Sequence, residues 1–357
     1  MNTPAETARA WVDVDLAALV ANARTIATRS GARLLPMVKA NGYGLGAAAV
    51  ARALLAVDPW GFGVATVEEG AELRAAGITL PVLVFTPLLP AAIPDFLEHR
   101  FRPVIGDVVA LRAWTAFTSE PFHIEVDTGM ARSGVRWDDA AAIGHLAASL
   151  AGAAGWEGVF THFHSADHDS AATRRQAERF DATLAALGRR PPIVHAANSA
   201  AALSGRYAYD MVRPGIFLYG GCAGVDAPQP VAALRARVVG LRRVAAGDPV
   251  SYGATWHAAR PATIATLGIG YADGVHRALS GRGSVELHGA ARPIVGRVTM
   301  DMTMVDVGDA PVAVGDVATL FGGSITLDAQ AAAARTISYE LLTSLGRRVP
   351  RVYRGER

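Results

Sequence analysis

Short apolar runs rich in β-branched and aromatic residues alternate with longer, alanine-rich amphipathic segments across the first two thirds of the chain. Runs at 34–40 (LLPMVKA), 60–66 (WGFGVAT), 81–87 (PVLVFTP), 101–107 (FRPVIGD), 121–127 (PFHIEVD), 156–164 (WEGVFTHFH), 192–199 (PIVHAANS) and 211–220 (MVRPGIFLYG) predict strands. Between them, segments such as GAAAVARALLAV (46–57) and TRRQAERFDATLAALG (173–188) carry apolar residues at helical spacing. Continuous apolar strands separated by helices read as parallel sheet buried on both faces. Eight such units in about 200 residues predict an α/β fold, a (β/α)8 TIM-type barrel. The rival, a doubly wound dinucleotide-binding sheet, lacks its fingerprint: GYGLG (42–46) is not G-x-G-x-x-G, and no P-loop occurs.

The pattern changes near PQP (228–230). From 231 to about 325 strand-like stretches follow one another with turn residues between them, then one helical segment (327–346) and a closing RVPRVY (348–353). The expected organisation is a barrel over 10–230 and a C-terminal, mainly β domain over 231–357, with residues 1–9 packing against the second domain.

Charge is nearly balanced, 34 basic against 32 acidic residues, and the arginines are scattered. That pattern argues against nucleic-acid or anionic-membrane binding. Apolar stretches are interrupted well short of the roughly 18 residues that a membrane span needs. The start lacks the layout of a secretion signal and Cys222 is the only cysteine, so a reducing, cytoplasmic location is expected. One count is more telling. Among the basic residues only Lys39 is a lysine; all the others are arginines. Lysine can lose its proton and attack a carbonyl, which arginine cannot do.

In a barrel the C-terminal strand ends line the active site. Reading those ends collects Lys39 with Tyr43, Asp127 and Arg132, His162 and His164, His195 with Asn198 and Ser199, and Arg213 with Gly215 and Tyr219. The set is rich in cations and hydrogen-bond donors, which suits an anionic ligand. THFHSADHD (161–169) has a metal-like density of histidines, but His195 is the only obvious further ligand, and no metal is expected.

Nine motifs in order then resemble the alanine racemases: VKANGYGLG (38–46), VDTGMARSGV (126–135), THFHSAD (161–167), ANSAA (197–201), VRPGIFLYG (212–220), VSYGATW (250–256), LGIGYADG (267–274), GRVTMDMTMVD (296–306) and TISYELLTSLGRRVPRVY (336–353). The resemblance implies a pyridoxal 5'-phosphate enzyme that interconverts L-alanine and D-alanine. It makes Lys39 the Schiff-base residue and gives the phosphate to Tyr43, Ser199, Tyr339 and the backbone at Gly215 and Ile216, with Asn198 beside them. Arg213 would face the pyridine nitrogen, supported by His195, with His162 close to the ring. Lys39 would serve one face of the substrate's α-carbon and Tyr252 the other. Arg132 and the Met300 backbone would hold the substrate carboxylate, with Tyr271 and Asp301 near the entry channel.

By the same resemblance Tyr252, Tyr271, Met300 and Asp301 reach the lysine of the partner subunit, so a homodimer with shared sites is implied. One departure stands out. Where many relatives carry a carbamylated lysine that braces the carboxylate-binding arginine, this chain has Glu125, and a direct brace of Arg132 by that carboxylate is expected. The D-alanine would feed peptidoglycan or the enzyme would serve alanine catabolism. The alternatives are a broad-specificity or serine racemase, a decarboxylase of a basic amino acid, and a non-catalytic cofactor-binding barrel. Arg213 disfavours the decarboxylase, where a strong electron sink is wanted, and Tyr252 with the second domain disfavours the binding protein.

Overall fold

The computed structural model describes residues 7–224 and 226–355. The chain starts in the second domain. Strand β1 (Ala10–Asp15) lies between two strands of the C-terminal sheet, and Asp15 then caps the helix Leu16–Ser30 by accepting from the Ala18 amide at 2.9 Å. Residues 10–15 therefore belong to the sheet of the second domain, and the barrel is entered at Asp15 rather than at residue 10. Of the N-terminal residues expected to pack there, 1–6 lie outside the described residues, while Arg9 forms an ion pair with Asp273 at 2.7 Å.

Eight parallel strands follow: β2 (Arg33–Leu34), β3 (Phe62–Val64), β4 (Val82–Pro87), β5 (Arg102–Ile105), β6 (Phe122–Asp127), β7 (Trp156–Phe160), β8 (Ile193–His195) and β9 (Met211–Val212). From β3 onward each pairs with the next, β9 pairs back to β2, and between β2 and β3 only a bridge, Met37 to Gly63 just past β2, closes the barrel. All eight expected runs overlap a strand, the first only at Leu34, but the paired parts are shorter. Pro36 and Pro214 carry no amide hydrogen, so the regular ladder of β2 and β9 stops at Leu34 and Val212. Isolated bonds continue it, from the Leu35 amide to Val212 O and from the Met37 amide to Pro214 O, both 2.9 Å. Lys39, His162 and Asn198 thus sit just past their strands, Lys39 opening a short helical turn (Lys39–Tyr43) and the other two in loops.

Strand β6 shows how the alternation is used. Phe122, Ile124 and Val126 join the core under the helices, whereas His123, Glu125 and Asp127, of the opposite parity, are buried as well. A separate apolar cluster of Leu35, Leu83, Val104, Phe160, Ile193 and Met211 fills the barrel interior.

The second domain is built on β10 (Ala232–Val244), a 13-residue strand that changes partners along its length. Its first half pairs with β1 and with β15 (Val317–Phe321), its second half with β11 (Ala262–Leu267), and the register shifts between Val238 and Gly240. The hairpin β12 (Ser284–Leu287) and β13 (Ala290–Pro293) extends one side, β14 (Thr303–Gly308) pairs with β11, and β16 (Arg351–Arg354) pairs with β1. The helical segment after β15 is two helices, Leu327–Ala333 and Ser338–Thr343, not one. Arg335 between them has φ 58°, which no right-handed helix continues through.

The two domains meet at the glycine-rich loop after Lys39. Arg351 Nε donates to Gly44 O and Tyr353 Oη to Leu45 O, both at 2.9 Å. Gly44 has φ +81°, and a Cβ there would overlap the Leu342 carbonyl. Gly44→Ala is therefore expected to cost more than about 1 kcal/mol, because alanine meets both strain and a clash. Thermal denaturation of the variant checks this.

Candidate active site

Lys39 begins a turn of opposite hand. Ala40, Asn41 and Gly42 have φ of 52°, 54° and 61° and ψ near 50°, followed by Tyr43 at φ 52°. Left-handed backbone costs roughly 1–2 kcal/mol per non-glycine residue, so outside bonds must hold it. Glu69 supplies one, accepting from the Ala40 amide (2.6 Å) while its other oxygen is anchored by the Ala65 amide (2.7 Å), and Asn41 Oδ1 accepts from the Ala47 amide at 2.9 Å. The turn sends Lys39 and Tyr43 into one cavity of about 550 Å³ at the C-terminal end of the barrel.

That cavity brings together Lys39, Tyr43, Arg132, His162, Asn198, Ser199, Arg213, Gly215 and Tyr339. Burial pushes the Lys39 amine below its usual range, Arg132 and Arg213 push the same way, and Glu69 opposes them. Arg213 is the most enclosed. It is 3% exposed, and its guanidinium donates to His195 Nδ1 (2.9 Å), Thr161 O (2.9 Å) and Ala196 O (3.0 Å), with His162 Nδ1 at 3.3 Å. Burial lowers it to about 9, so it remains charged at neutral pH. His162 is held neutral, pushed down to about 3 by burial and then by Arg213, Arg132 and Lys39. The histidine-rich segment divides here: His162 faces the cavity, while His164 pairs with Ser165 and His168 with Asp167 on the exposed side.

The opposite end of the cavity is neutral. Burial, then Tyr339, holds the Tyr43 phenol well above its ordinary value, so it stays a donor. Its ring stacks on Tyr219 at 4.4 Å, and Tyr219 Oη donates to Met37 O at 2.8 Å. Ser199 opens the short helix Ser199–Leu203 and accepts the Gly215 amide at 2.9 Å, while Asn198 caps that helix. A Cβ at Gly215 would overlap the Tyr43 hydroxyl. Ile216 is buried at the start of the next turn.

Glu125 departs from expectation. The turn at Ala131 (φ 54°) brings Ser133 against the carboxylate, and Ser133 Oγ donates to Glu125 Oε2 at 2.6 Å. Among the described residues no hydrogen bond or ion pair joins Glu125 to Arg132, which lies at the exposed side of the cavity; the carboxylate acts on Arg132 through charge alone. Burial raises Glu125, with the Ser133 bond and Arg132 opposing.

Tyr252, Tyr271, Met300 and Asp301 do not line this cavity within one chain. Tyr252, Met300 and Asp301 line another, of about 490 Å³, on the second domain. Tyr252 is 72% exposed on a tight turn between Ser251 (φ 67°) and Gly253 (φ 72°). The Tyr271 and Met300 loops hold each other, Tyr271 N to Thr299 O at 2.9 Å and Ala272 N to Met300 O at 3.0 Å. Arg348 ties Asp301 to the buried Asp273. Sequence reasoning missed Phe85, Thr86 and Pro87, which line the cavity at the end of β4; the strand-end rule applied to PVLVFTP finds them. It also missed Glu69, whose role rests on backbone amides and leaves no side-chain pattern.

Two family profiles cover the chain, "Alanine racemase, N-terminal domain" over residues 14–223 and "Alanine racemase, C-terminal domain" over residues 231–353. The chain belongs to the alanine racemase family. It is 41% identical to the alanine racemase of Desulfovibrio desulfuricans over 96% of this chain and 97% of the relative. It is 42% identical to that of Symbiobacterium thermophilum over 97% of each. Among solved structures, alanine racemase from Bartonella henselae with covalently bound pyridoxal phosphate superposes with a TM-score of 0.91 at 32% identity, over 97% of this chain and 100% of that one. For a racemase so built, Glu69→Ala is expected to free the left-handed turn. Hydrogen exchange at the Ala40 and Ala65 amides should accelerate about tenfold or more, the scale of one lost charge-assisted bond.

Proposed function

We propose that this chain is a pyridoxal phosphate-dependent alanine racemase whose two catalytic bases, Lys39 and Tyr252, come from different subunits of a homodimer. The observation that carries this reading is a site that is half complete in one chain. Lys39 and the expected cofactor ligands other than Ile216, which follows Gly215 in the chain, line one cavity, whereas Tyr252 stands exposed on another part of the surface with Met300 and Asp301. A phenol presented on a strained, tight turn, beside Met300 and Met302 that are also about half exposed, suits insertion into a partner.

The residues present fit the cofactor. Tyr43, Ser199, Tyr339 and the Gly215–Ile216 backbone would hold the phosphate through neutral donors, with Asn198 beside them, and Lys39 would hold the aldehyde carbon covalently. Arg213 would face the pyridine nitrogen with a guanidinium that keeps its proton at neutral pH. When bound, pyridoxal phosphate withdraws electrons from the substrate's α-carbon and makes its proton acidic. With Arg213 keeping its proton, the pyridine nitrogen facing it would stay unprotonated and the withdrawal would be moderate, which would favour proton transfer over side reactions.

Arg132 would take the substrate carboxylate as a planar fork, with the Met300 backbone of the partner subunit completing the grip. Burial and two guanidiniums bias the Lys39 amine toward its neutral form, so it accepts the α-proton of D-alanine. Tyr252 of the partner subunit accepts the α-proton of L-alanine. Tyr271 and Asp301 of the partner subunit would border the entry. The D-alanine made in this way supplies peptidoglycan in the cytoplasm, or the reverse reaction feeds alanine catabolism.

Three outcomes are expected. Borohydride reduction of the loaded protein should fix the cofactor on Lys39, the chain's only lysine, as peptide mass spectrometry would read. Lys39→Ala and Tyr252→Phe should each lower racemisation about 10²–10⁴-fold, the usual contribution of a positioned acid or base. Mixing the two inactive variants as hybrids should recover activity, because one site then has both native bases. Hybrids that form and stay inactive would contradict the shared site.

A further inference from the structure

Behind Arg213 a second line of polar side chains runs down the barrel interior, and the catalytic roles above do not use its lower half. Arg213 Nη1 donates to His195 Nδ1 at 2.9 Å. His195 Nε2 lies 2.9 Å from His123 Nδ1, and His123 Nε2 lies 3.2 Å from Glu157 Oε2. Glu157 in turn accepts from Arg102 Nε at 3.3 Å. Both histidines are fully buried, while Glu157 and Arg102 are about one-fifth exposed at the N-terminal end of β7 and β5. A Cβ at Gly158 would overlap the His123 ring, so the glycine of W-E-G is the space this chain of bonds occupies.

The direction of every link follows from the two ends. A guanidinium only donates, so His195 Nδ1 carries no hydrogen, and a neutral His195 has its single hydrogen on Nε2. That hydrogen is given to His123 Nδ1, which leaves the His123 hydrogen on Nε2, facing Glu157. An ionised carboxylate only accepts, so the chain closes without conflict. Burial, chiefly, holds both rings below the usual imidazole range, with the Arg213 charge pushing the same way and Glu157 opposing it at His123, so both favour the neutral form at neutral pH. Without an obligate acceptor at the bottom, only Arg213 opposes reversal, in which His123 turns an N–H toward His195 and His195 an N–H toward Arg213, donor against donor.

We propose that His123 and Glu157 are positioning residues of the racemase, which lock His195 in its Nε2–H tautomer and thereby hold the Arg213 guanidinium in place from the far end of the barrel. The proposal rests on Arg213 facing the pyridine nitrogen only for its catalytic consequence; the tautomer itself does not depend on that reading.

The test uses the loaded enzyme and its Glu157→Gln and Glu157→Asp variants. Nitrogen-15 NMR of the histidine side chains reports which ring nitrogen carries hydrogen, and steady-state kinetics give kcat and KM for alanine. In the native enzyme His195 is expected as pure Nε2–H. Glu157→Gln, whose amide both donates and accepts, should give a tautomer mixture at His195 and lower kcat about tenfold with KM little changed, the scale of one weakened charge-assisted bond. Glu157→Asp should restore the single tautomer and part of kcat. A native His195 protonated on Nδ1, or a Gln variant with unchanged tautomer and kcat, would overturn the proposal. A Gln variant with mixed tautomers but native kcat would uphold the lock and instead contradict the role given to Arg213.

Discussion

Three cationic side chains, Lys39, Arg132 and Arg213, converge on one cavity, and much of the molecule serves to hold them there. Like charges at such range repel, and burial adds a desolvation cost. The fold answers each differently. Arg213 is given carbonyl and imidazole acceptors and stays charged; Lys39 is biased to lose its proton; Arg132 is left at the exposed side, where water screens it. Of the acids close to them, Glu69 is bound to the Ala40 and Ala65 amides and Glu125 to Ser133, so each acts on the cations through its charge. The result is a site whose electrostatics favour an anionic ligand at the substrate end and a free amine at the centre.

The second constraint is backbone. Lys39 can face the cavity only because the residues after it coil the wrong way, and that turn survives through bonds from distant parts of the chain. Glu69 holds it from the next barrel unit, and Arg351 and Tyr353 hold its glycine-rich end from the last strand of the second domain. The placement of β1 and β16 side by side explains how the C-terminus reaches that loop at all. The lysine turn is thus held in part by the second domain.

Most of the barrel was legible because its strands are apolar on both faces and its helices carry a 3.6 period, two signals that survive without tertiary information. Strand ends were less so. Pro36 and Pro214 cut the ladders short of the apolar runs, and Arg335 split a segment whose periodicity looked continuous. The assignment of residues 10–15 to the second sheet was not legible, since a strand read alone does not name its partner. Among site residues, Lys39 stood out by composition and Arg213 and Ser199 by their strand ends. Glu125 was misjudged for a local reason: the left-handed Ala131 decides whether residue 132 or 133 meets the carboxylate, and nothing in its side chain announces that conformation. His123 and Glu157 were hidden too, because their roles come from the pairing of β6 with β7 and not from sequence proximity.

The central claim is that two different groups, one on each face of the α-carbon, move the proton. Incubating the loaded enzyme with L-alanine in deuterated water and following early turnover by proton NMR with chiral separation tests it most directly. The account predicts that the first D-alanine formed already carries deuterium at Cα, because the group that delivers its proton is not the one that removed the original. D-alanine that retains the substrate's own α-proton would mean a single base serving both faces, and would contradict the account.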